Sequence, residues 1–203
     1  MTAARQPWIA FTREVSPTIG QCELTHLARV PIDVDTARAQ HAAYERLLRS
    51  IGCDVRRVAP APDSPDAVFI EDTAVVFDEV AVITRPGAES RRAETAVVET
   101  ALAGVRTVVR IEAPGTLDGG DVLSIGRRVF VGRTERTNDD GIAQLSALLA
   151  PYGYEVLDVT VTGCLHLKTA VTAIDDATVL LNPAWVRPSD FSHFRVLEVD
   201  PAE

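Results

Sequence analysis

The sequence predicts a mixed α/β fold built from repeats of one unit, in the order strand, strand, helix, strand. Three hairpins support this prediction. They begin at Ala74, Asp121 and Ala170, so that successive starts lie 47 and 49 residues apart. Such spacing is typical of repeat architectures, whose periods run from ~20 to ~50 residues. The first two hairpins each lead into a helical pattern and then into a β-branched run. We therefore predict a single domain, residues 1–203, that forms an array of these units.

The N-terminal segment is predicted to be a variant of the same unit. Residues 8–11 have the apolar character of a first strand, and a long loop follows them. Asp33 or Asp35 is placed to cap a helix that continues to Ile51. Gly52 ends this helix, and residues 53–58 are predicted to form the next strand.

The remaining elements follow the repeat in chain order. Gly126 lies at the turn of the second hairpin, where glycine tolerates the positive φ of a tight turn. The approximate units are residues 1–60, 66–111, 116–161 and 164–200. Their predicted helices and third strands are residues 93–102 with 105–111, residues 141–150 with 154–161, and residues 190–194 with 195–199.

Composition and charge limit the classes of function. The formal net charge is −9 and the pI is near 4.9, which argues against nucleic acid or an anionic membrane as a partner and favours a small cationic substrate. No apolar run reaches the ~20 residues of a membrane span, and residues 1–7 lack the apolar core of a signal peptide. We therefore expect a cytoplasmic protein. Its three cysteines are not in CxxC pairs and are expected to be reduced and free of metal.

Two acidic motifs are candidates for a binding site. Residues 66–72 alternate apolar and acidic side chains, which predicts a strand whose tip carries Glu71 and Asp72. An exposed edge strand with protective charges is the alternative. In the second motif, two glycines lie between Asp118 and Asp121, where the backbone can approach a ligand closely. A solvent-exposed turn would have the same composition.

A histidine motif near the last hairpin is the third candidate. Residues 163–168 are predicted to form a short strand with Cys164 and His166 on the same face. A lone histidine in an apolar strand is more often a core residue than a catalyst. Cys164 is interpreted as a small buried residue, since side chains two positions apart project in parallel and are poorly placed for a direct hydrogen bond. Lys168 stands out as the only lysine in the sequence.

Five motifs together resemble one family. They are PDAVFIEDTAVV (65–76), AVITRPG (81–87), TLDGGDVL (116–123), GRTERTN (132–138) and CLHLKTAVT (164–172). In this order and spacing they are similar to the dimethylarginine dimethylaminohydrolases of the pentein, or guanidine-modifying, superfamily. The resemblance implies a pentein-type α/β propeller of five units around a central substrate. About four of those units are accounted for in this sequence, and the fifth, which carries the nucleophilic cysteine in the family, is expected to be missing.

The resemblance also implies roles for individual residues. Carboxylate pairs suit a planar guanidinium, and arginine forks suit a carboxylate, so a substrate with a cationic head and an anionic tail would be fixed at both ends. The implied catalytic residues are His166, as general acid and base, and Asp118. The implied substrate-binding residues are Asp72 and Glu71 at the guanidinium, Phe69 along the pocket, Asp66 and the loop around Leu24 at the amino-acid end, and Arg85 and Arg136 at the α-carboxylate.

The implied reaction converts a methylated arginine to citrulline and an amine, without a cofactor or a metal. A cysteine thiolate attacks the guanidinium carbon, and one histidine serves both half-reactions. Because this sequence has no matching nucleophile motif, the chain is expected to be inactive by itself. Two alternatives stay open: a non-catalytic protein that binds arginine derivatives, and another amidino hydrolase such as an arginine deiminase-like enzyme. Open strand edges would also favour a homo-oligomer.

Overall fold

The computed structural model describes residues 8–200, in which the chain forms eleven strands and four α-helices. Residues 1–7, where the sequence shows no signal-peptide core, and residues 201–203 lie outside the described part. The strands are β1 (Ile9–Thr12), β2 (Asp54–Arg57), β3 (Ala74–Val76), β4 (Val80–Ile83), β5 (Thr107–Arg110), β6 (Val122–Ile125), β7 (Arg128–Arg133), β8 (Glu155–Thr160), β9 (Val171–Asp175), β10 (Thr178–Leu181) and β11 (Arg195–Glu198). The helices are α1 (Val34–Ser50), α2 (Thr95–Ala103), α3 (Asp139–Leu149) and α4 (Leu167–Ala170).

Each predicted hairpin forms a small sheet with the strand that follows it. The three sheets have the orders β3-β4-β5, β6-β7-β8 and β9-β10-β11. In each, the hairpin strands are antiparallel and the central strand is parallel to the third strand. The predicted repeat is therefore confirmed for these three sheets. The N-terminal segment differs, because β1 and β2 form a parallel pair.

The central strand of the sheet β6-β7-β8 packs against a different apolar cluster on each face. Along β7, alternate side chains point to opposite faces. Phe130 belongs to one apolar cluster, whereas Val129 and Val131 belong to another, and all three are fully buried. Phe130 also packs on Phe191, with ring centroids 4.9 Å apart. Both faces of this sheet are therefore covered by apolar side chains.

Helix α1 is attached to the first sheet by a buried carboxylate. Its N-cap is Asp33, whose side chain accepts a hydrogen bond from the Thr36 N–H. Glu45, which is 1% exposed, accepts hydrogen bonds from the Thr12 hydroxyl in β1 and from both Arg57 Nε and Arg57 Nη2 in β2, each at 2.8 Å. These bonds lower the pKa of Glu45 to about 2. The ionised carboxylate thus joins α1 to both strands.

We expect Glu45→Gln to lower the free energy of unfolding by about 2 kcal/mol at pH 7, since it removes a buried carboxylate that pairs with the half-exposed guanidinium of Arg57. A depressed carboxyl pKa contributes stability above the unfolded value, which is lost as the pH falls toward 2. The difference between the two proteins should therefore shrink at pH 3. Urea unfolding followed by circular dichroism measures it. Asp35→Asn, on the same helix but almost fully exposed, is the control and should change stability by under ~1 kcal/mol. Equal effects of the two substitutions would contradict the assignment.

Two predicted strands are wrong. In place of a strand at 66–72, the chain makes turns and then a 3-10 helix, Ile70–Thr73. In place of a strand at 163–168, it makes a bend followed by α4. The backbone explains the second case, because the Leu167 N–H donates to the Asp121 carboxylate rather than to a neighbouring strand. Cys164 and His166 therefore do not share a strand face; the Cys164 thiol donates to the His166 carbonyl instead.

The other predicted elements are confirmed to within a few residues, except that residues 190–194 are replaced by a 3-10 helix at Pro188–Phe191. Among residues 8–200, we find no helix with both the length and the apolar character required to cross a bilayer.

Candidate active site

Asp72, Asp118 and His166 converge on one point, although each comes from a different repeat unit. His166 Nε2 lies 3.7 Å from Asp72 Oδ1 and 3.9 Å from Asp118 Oδ2. The three side chains are between 0% and 13% exposed. One ligand atom from each lies within 4.8 Å of the others, a spacing that could hold a metal ion or an organic cation. The arrangement is thus a buried acidic cluster with one imidazole.

The glycine pair of the second acidic motif makes this convergence possible. A Cβ on Gly119 would lie 2.0 Å from the Glu71 carbonyl oxygen, and a Cβ on Gly120 would lie 2.7 Å from the His166 ring. Real Cβ atoms do not approach other atoms this closely, so neither position can carry a side chain without a shift of its neighbours. The Gly120 N–H also donates to Asp72 Oδ1 at 2.9 Å. The glycines therefore serve contacts within the protein, whereas the sequence suggested a close approach to ligand.

Arg91 holds Asp72 in place, and sequence reasoning missed it. Its Nη1 donates to Asp72 Oδ2 at 2.7 Å, and its Nη2 pairs with Glu94 at 3.0 Å. The same Nη2 donates to the carbonyl oxygens of Asp66 and Phe69. Burial alone would lower the pKa of Arg91, but Glu94 and Asp72 outweigh burial, and the pKa is raised. This guanidinium therefore orders the whole 66–72 segment.

Asp118 has one oxygen free to receive a ligand. Its Oδ1 accepts the Gly87 N–H at 2.9 Å, while Oδ2 has no hydrogen-bond partner within residues 8–200. The residue is 0% exposed. The pKa of Asp118 is raised to about 6, mainly by burial; the Gly87 N–H opposes this shift and the Asp72 carboxylate adds to it. A buried acceptor of this kind is normally satisfied, so Oδ2 is an exception among the buried polar atoms of the described residues.

A second missed residue, Asp121, supports His166 from the other side. Its Oδ1 lies 3.5 Å from His166 Nδ1 and accepts the Leu167 N–H at 3.0 Å. Its Oδ2 accepts the Thr134 and Thr137 hydroxyls. Burial alone would lower the pKa of His166, but Asp121, followed by Asp72 and Asp118, outweighs burial, and the pKa is raised. The imidazole is therefore biased toward its cationic form.

The guanidinium side of the predicted site lines one cleft of about 450 Å³. Phe69, Glu71, Asp72 and His166 all contribute to it. Phe69 is 49% exposed. Glu71 pairs with Lys168 across the cleft, with Oε1 and Nζ 2.5 Å apart.

The residues predicted at the amino-acid end separate into two groups. Asp66 is buried, and both of its carboxylate oxygens accept the Glu23 N–H, which ties Asp66 to the loop that contains Leu24. Arg136 reaches the same loop, because its Nη2 donates to the Thr25 hydroxyl. Arg85, in contrast, lines a second cleft of about 120 Å³ that shares no residue with the first. Arg136 lines neither of these two clefts, although its backbone lies against Gly87, two residues after Arg85.

Cys164 is poorly suited to act as a nucleophile. It is buried, and its thiol donates to the His166 carbonyl at 3.4 Å. Burial raises the pKa of Cys164, and the Asp121 carboxylate raises it further. Because the thiolate is the reactive form, this environment keeps the sulfur inert.

Comparison with known proteins identifies the family. The arginine deiminase family matches residues 56–202. A dimethylarginine dimethylaminohydrolase from Streptomyces coelicolor is 49% identical over 187 residues, which cover 91% of this chain and 72% of the relative. The chain belongs to the dimethylarginine dimethylaminohydrolase family. The Pseudomonas aeruginosa member is 36% identical over 173 residues, which cover 84% of this chain and 68% of that protein.

A solved structure of the Pseudomonas aeruginosa dimethylarginine dimethylaminohydrolase supports the same assignment. It is a mutant complexed with citrulline, and it matches with a TM-score of 0.89 and 32% identity over 97% of this chain and 77% of that chain. The predicted membership of this hydrolase family, with its pentein-type α/β fold of several small sheets, is therefore confirmed. The number of propeller units in the present chain stays a prediction.

Proposed function

We propose that this chain binds a methylated arginine in the cleft lined by Asp72 and His166, with Asp118 buried behind them, as part of an enzyme that releases citrulline and dimethylamine. The observation that carries the proposal is the free Oδ2 of fully buried Asp118, beside Asp72 and an imidazole. A guanidinium is a planar cation with N–H donors in a fork, so it matches carboxylate oxygens on a common face. Such a ligand would compensate the buried negative charge.

His166 is the proposed proton donor and acceptor. Its pKa is raised, so at neutral pH a larger share of the imidazole carries the proton that the leaving amine needs. After the amine has left, the neutral imidazole could accept a proton from the attacking water. Asp121 Oδ1 lies 3.5 Å from Nδ1, and Nε2 faces the carboxylates of Asp72 and Asp118. Both half-reactions would use this one nitrogen.

The amino-acid end of the substrate is assigned to Asp66, the Leu24 loop and Arg136. Asp66 offers a carboxylate for an α-ammonium, and Arg136 offers a fork for an α-carboxylate. Both reach the same loop through Glu23 and Thr25. The position of Arg85 in the second cleft does not support its predicted role in binding the α-carboxylate. Phe69, at the cleft wall, would contact the aliphatic chain.

The thiolate that this reaction needs is proposed to come from outside the 203 residues. Cys164 is buried with a raised pKa, and Cys22 and Cys53 do not line the cleft. Among the described residues, β1 also lacks the antiparallel neighbour that the central strand of every other sheet has. A further unit that completes this sheet would account for both observations, in line with a propeller of five units.

Calorimetric titration tests whether the chain binds a methylated arginine. A citrulline assay tests separately whether the chain lacks its nucleophile. We expect the 203-residue chain to bind asymmetric dimethylarginine with saturation at one site per chain, because the charged cleft residues are in place. We expect it to form no citrulline, because no thiolate faces the ligand. A silent titration would remove the proposed function. Citrulline formation by the chain alone would show that it already holds its nucleophile.

A non-catalytic binding protein is the second candidate, and the environment of Cys164 favours it. An arginine deiminase-like activity is the third, and the match to the arginine deiminase family favours it. Binding of unmethylated arginine in preference to dimethylarginine would support the third candidate.

A further inference from the structure

An ion pair at the mouth of the cleft has no part in the proposed reaction. Lys168 lies in α4, and Glu71 lies in the 3-10 helix 97 residues earlier. Their side chains are 26% and 70% exposed, and both line the cleft that contains Asp72 and His166. The only lysine of the sequence therefore sits beside the proposed guanidinium pocket.

The other carboxylate oxygens near the pocket are mostly occupied. Asp72 Oδ1 accepts the Gly120 N–H, and Asp72 Oδ2 accepts from Arg91. Asp118 Oδ1 accepts the Gly87 N–H, which leaves Asp118 Oδ2 as the unpartnered oxygen of these two residues. Glu71 is the next acceptor within the cleft, and Lys168 already pairs with its Oε1. These bonds reduce, but do not exhaust, the number of acceptor positions left for a ligand with many donors, since an ionised carboxylate offers about four.

The two candidate ligands differ in the number of donors that they bring. The guanidinium of arginine has five N–H donors. Dimethylation of one terminal nitrogen replaces two of these N–H bonds with methyl groups, which need no acceptor. A buried donor left without a partner costs about 1–3 kcal/mol. A pocket with few free acceptors therefore penalises arginine more than it penalises dimethylarginine.

We infer that Lys168 is a specificity-determining residue, which withholds Glu71 from the bound guanidinium and so favours dimethylated over unmethylated arginine. This inference rests on the proposed function of the same cleft. If Lys168 were removed, the Glu71 carboxylate could turn to the guanidinium and accept the donors that methylation removes. The preference would then weaken without any change in the part of the cleft lined by Asp72 and His166.

Calorimetry on the 203-residue chain tests the inference through the ratio of the Kd for arginine to the Kd for asymmetric dimethylarginine. We expect the ratio to exceed one in the unmodified chain and to fall about tenfold in Lys168→Met, which corresponds to one well-placed charged hydrogen bond. Lys168→Arg keeps a cation for Glu71 and should keep the ratio. Arg187→Met is the control, since it removes the same charge from a side chain that is 72% exposed and does not line the cleft.

A double variant assigns the effect to Glu71. In Lys168→Met with Glu71→Met, no carboxylate is released, so the ratio should return toward that of the unmodified chain. A ratio that stays within about twofold in Lys168→Met, or falls equally in the double variant, would overturn the inference while the proposed function stands. An unmodified chain that binds neither ligand would instead defeat the proposed function. Lys168→Gln repeats the measurement if the methionine variant does not fold.

Discussion

Asp118→Asn is expected to make the protein more stable at pH 7.5 while it abolishes the binding of methylated arginine. Asp118 is 0% exposed, and its pKa is raised from 3.8 to about 6. A raised carboxyl pKa means that ionisation opposes folding, so stability is lost as the pH rises through 6. The shift in the pKa of Asp118 corresponds to a loss of at most about 3 kcal/mol in the free energy of unfolding. We expect the neutral amide of Asp118→Asn to restore about 2 kcal/mol of it. The asparagine oxygen can still accept the Gly87 N–H.

Thermal and urea unfolding at two pH values measure this effect. The gain should be largest at pH 7.5 and absent near pH 3, because stability falls between the unfolded pKa of 3.8 and the folded pKa of about 6. Calorimetry should show no binding of dimethylarginine, because the amide would present a donor to a cationic ligand. Asp176→Asn, which changes an exposed turn residue outside the cleft, should leave both stability and binding within error. A loss of stability at both pH values would contradict the prediction that ionisation of Asp118 opposes folding.

Arg91→Met is expected to cause the largest loss of stability among the cleft substitutions, about 3–5 kcal/mol. Arg91 is 4% exposed and pairs with Asp72 and Glu94. Its removal would leave both buried carboxylates without their guanidinium partner, and it would release the carbonyl oxygens of Asp66 and Phe69. Binding of dimethylarginine should be lost as well, because the segment that positions Asp72 would no longer be ordered.

The neighbouring residue provides a matched control. Arg92 has a side chain that is 30% exposed and pairs with Glu89, which is 88% exposed. Its replacement by Met should cost under ~1 kcal/mol. Arg91→Lys keeps the charge but loses the fork, so we expect an intermediate loss of stability. Urea unfolding of the three variants orders them, and equal losses for Arg91→Met and Arg92→Met would refute the special role of Arg91.

The hairpins could be predicted from the sequence because their signals are local. Alternating apolar residues and a turn glycine lie within a dozen positions, and Gly126 indeed has a positive φ of 60°. The segments 66–72 and 163–168 show a similar alternation, yet they do not form strands. Their backbone partners are distant: the Leu167 N–H is taken by Asp121, 46 residues away. A local pattern cannot reveal such a competitor.

The site could be predicted only in part, for a related reason. The motifs pointed to Asp72, Asp118 and His166, and the fold brings these residues together. Arg91 was missed, because in the sequence it cannot be distinguished from Arg92, and only burial separates them. Asp121 was recognised as part of a motif, but the sequence gave it no role beside the imidazole.

Asp72, Asp118 and His166 precede three different sheets, β3-β4-β5, β6-β7-β8 and β9-β10-β11. The proposed binding site is therefore shared among the three sheets. A ligand held by all three would therefore add a link between sheets that are already joined by loops, apolar contacts and polar bonds such as that from the Gly120 N–H to Asp72, and opening of any one sheet would release it. Affinity for the ligand would then appear as slower hydrogen exchange throughout the chain, far from the atoms that the ligand touches.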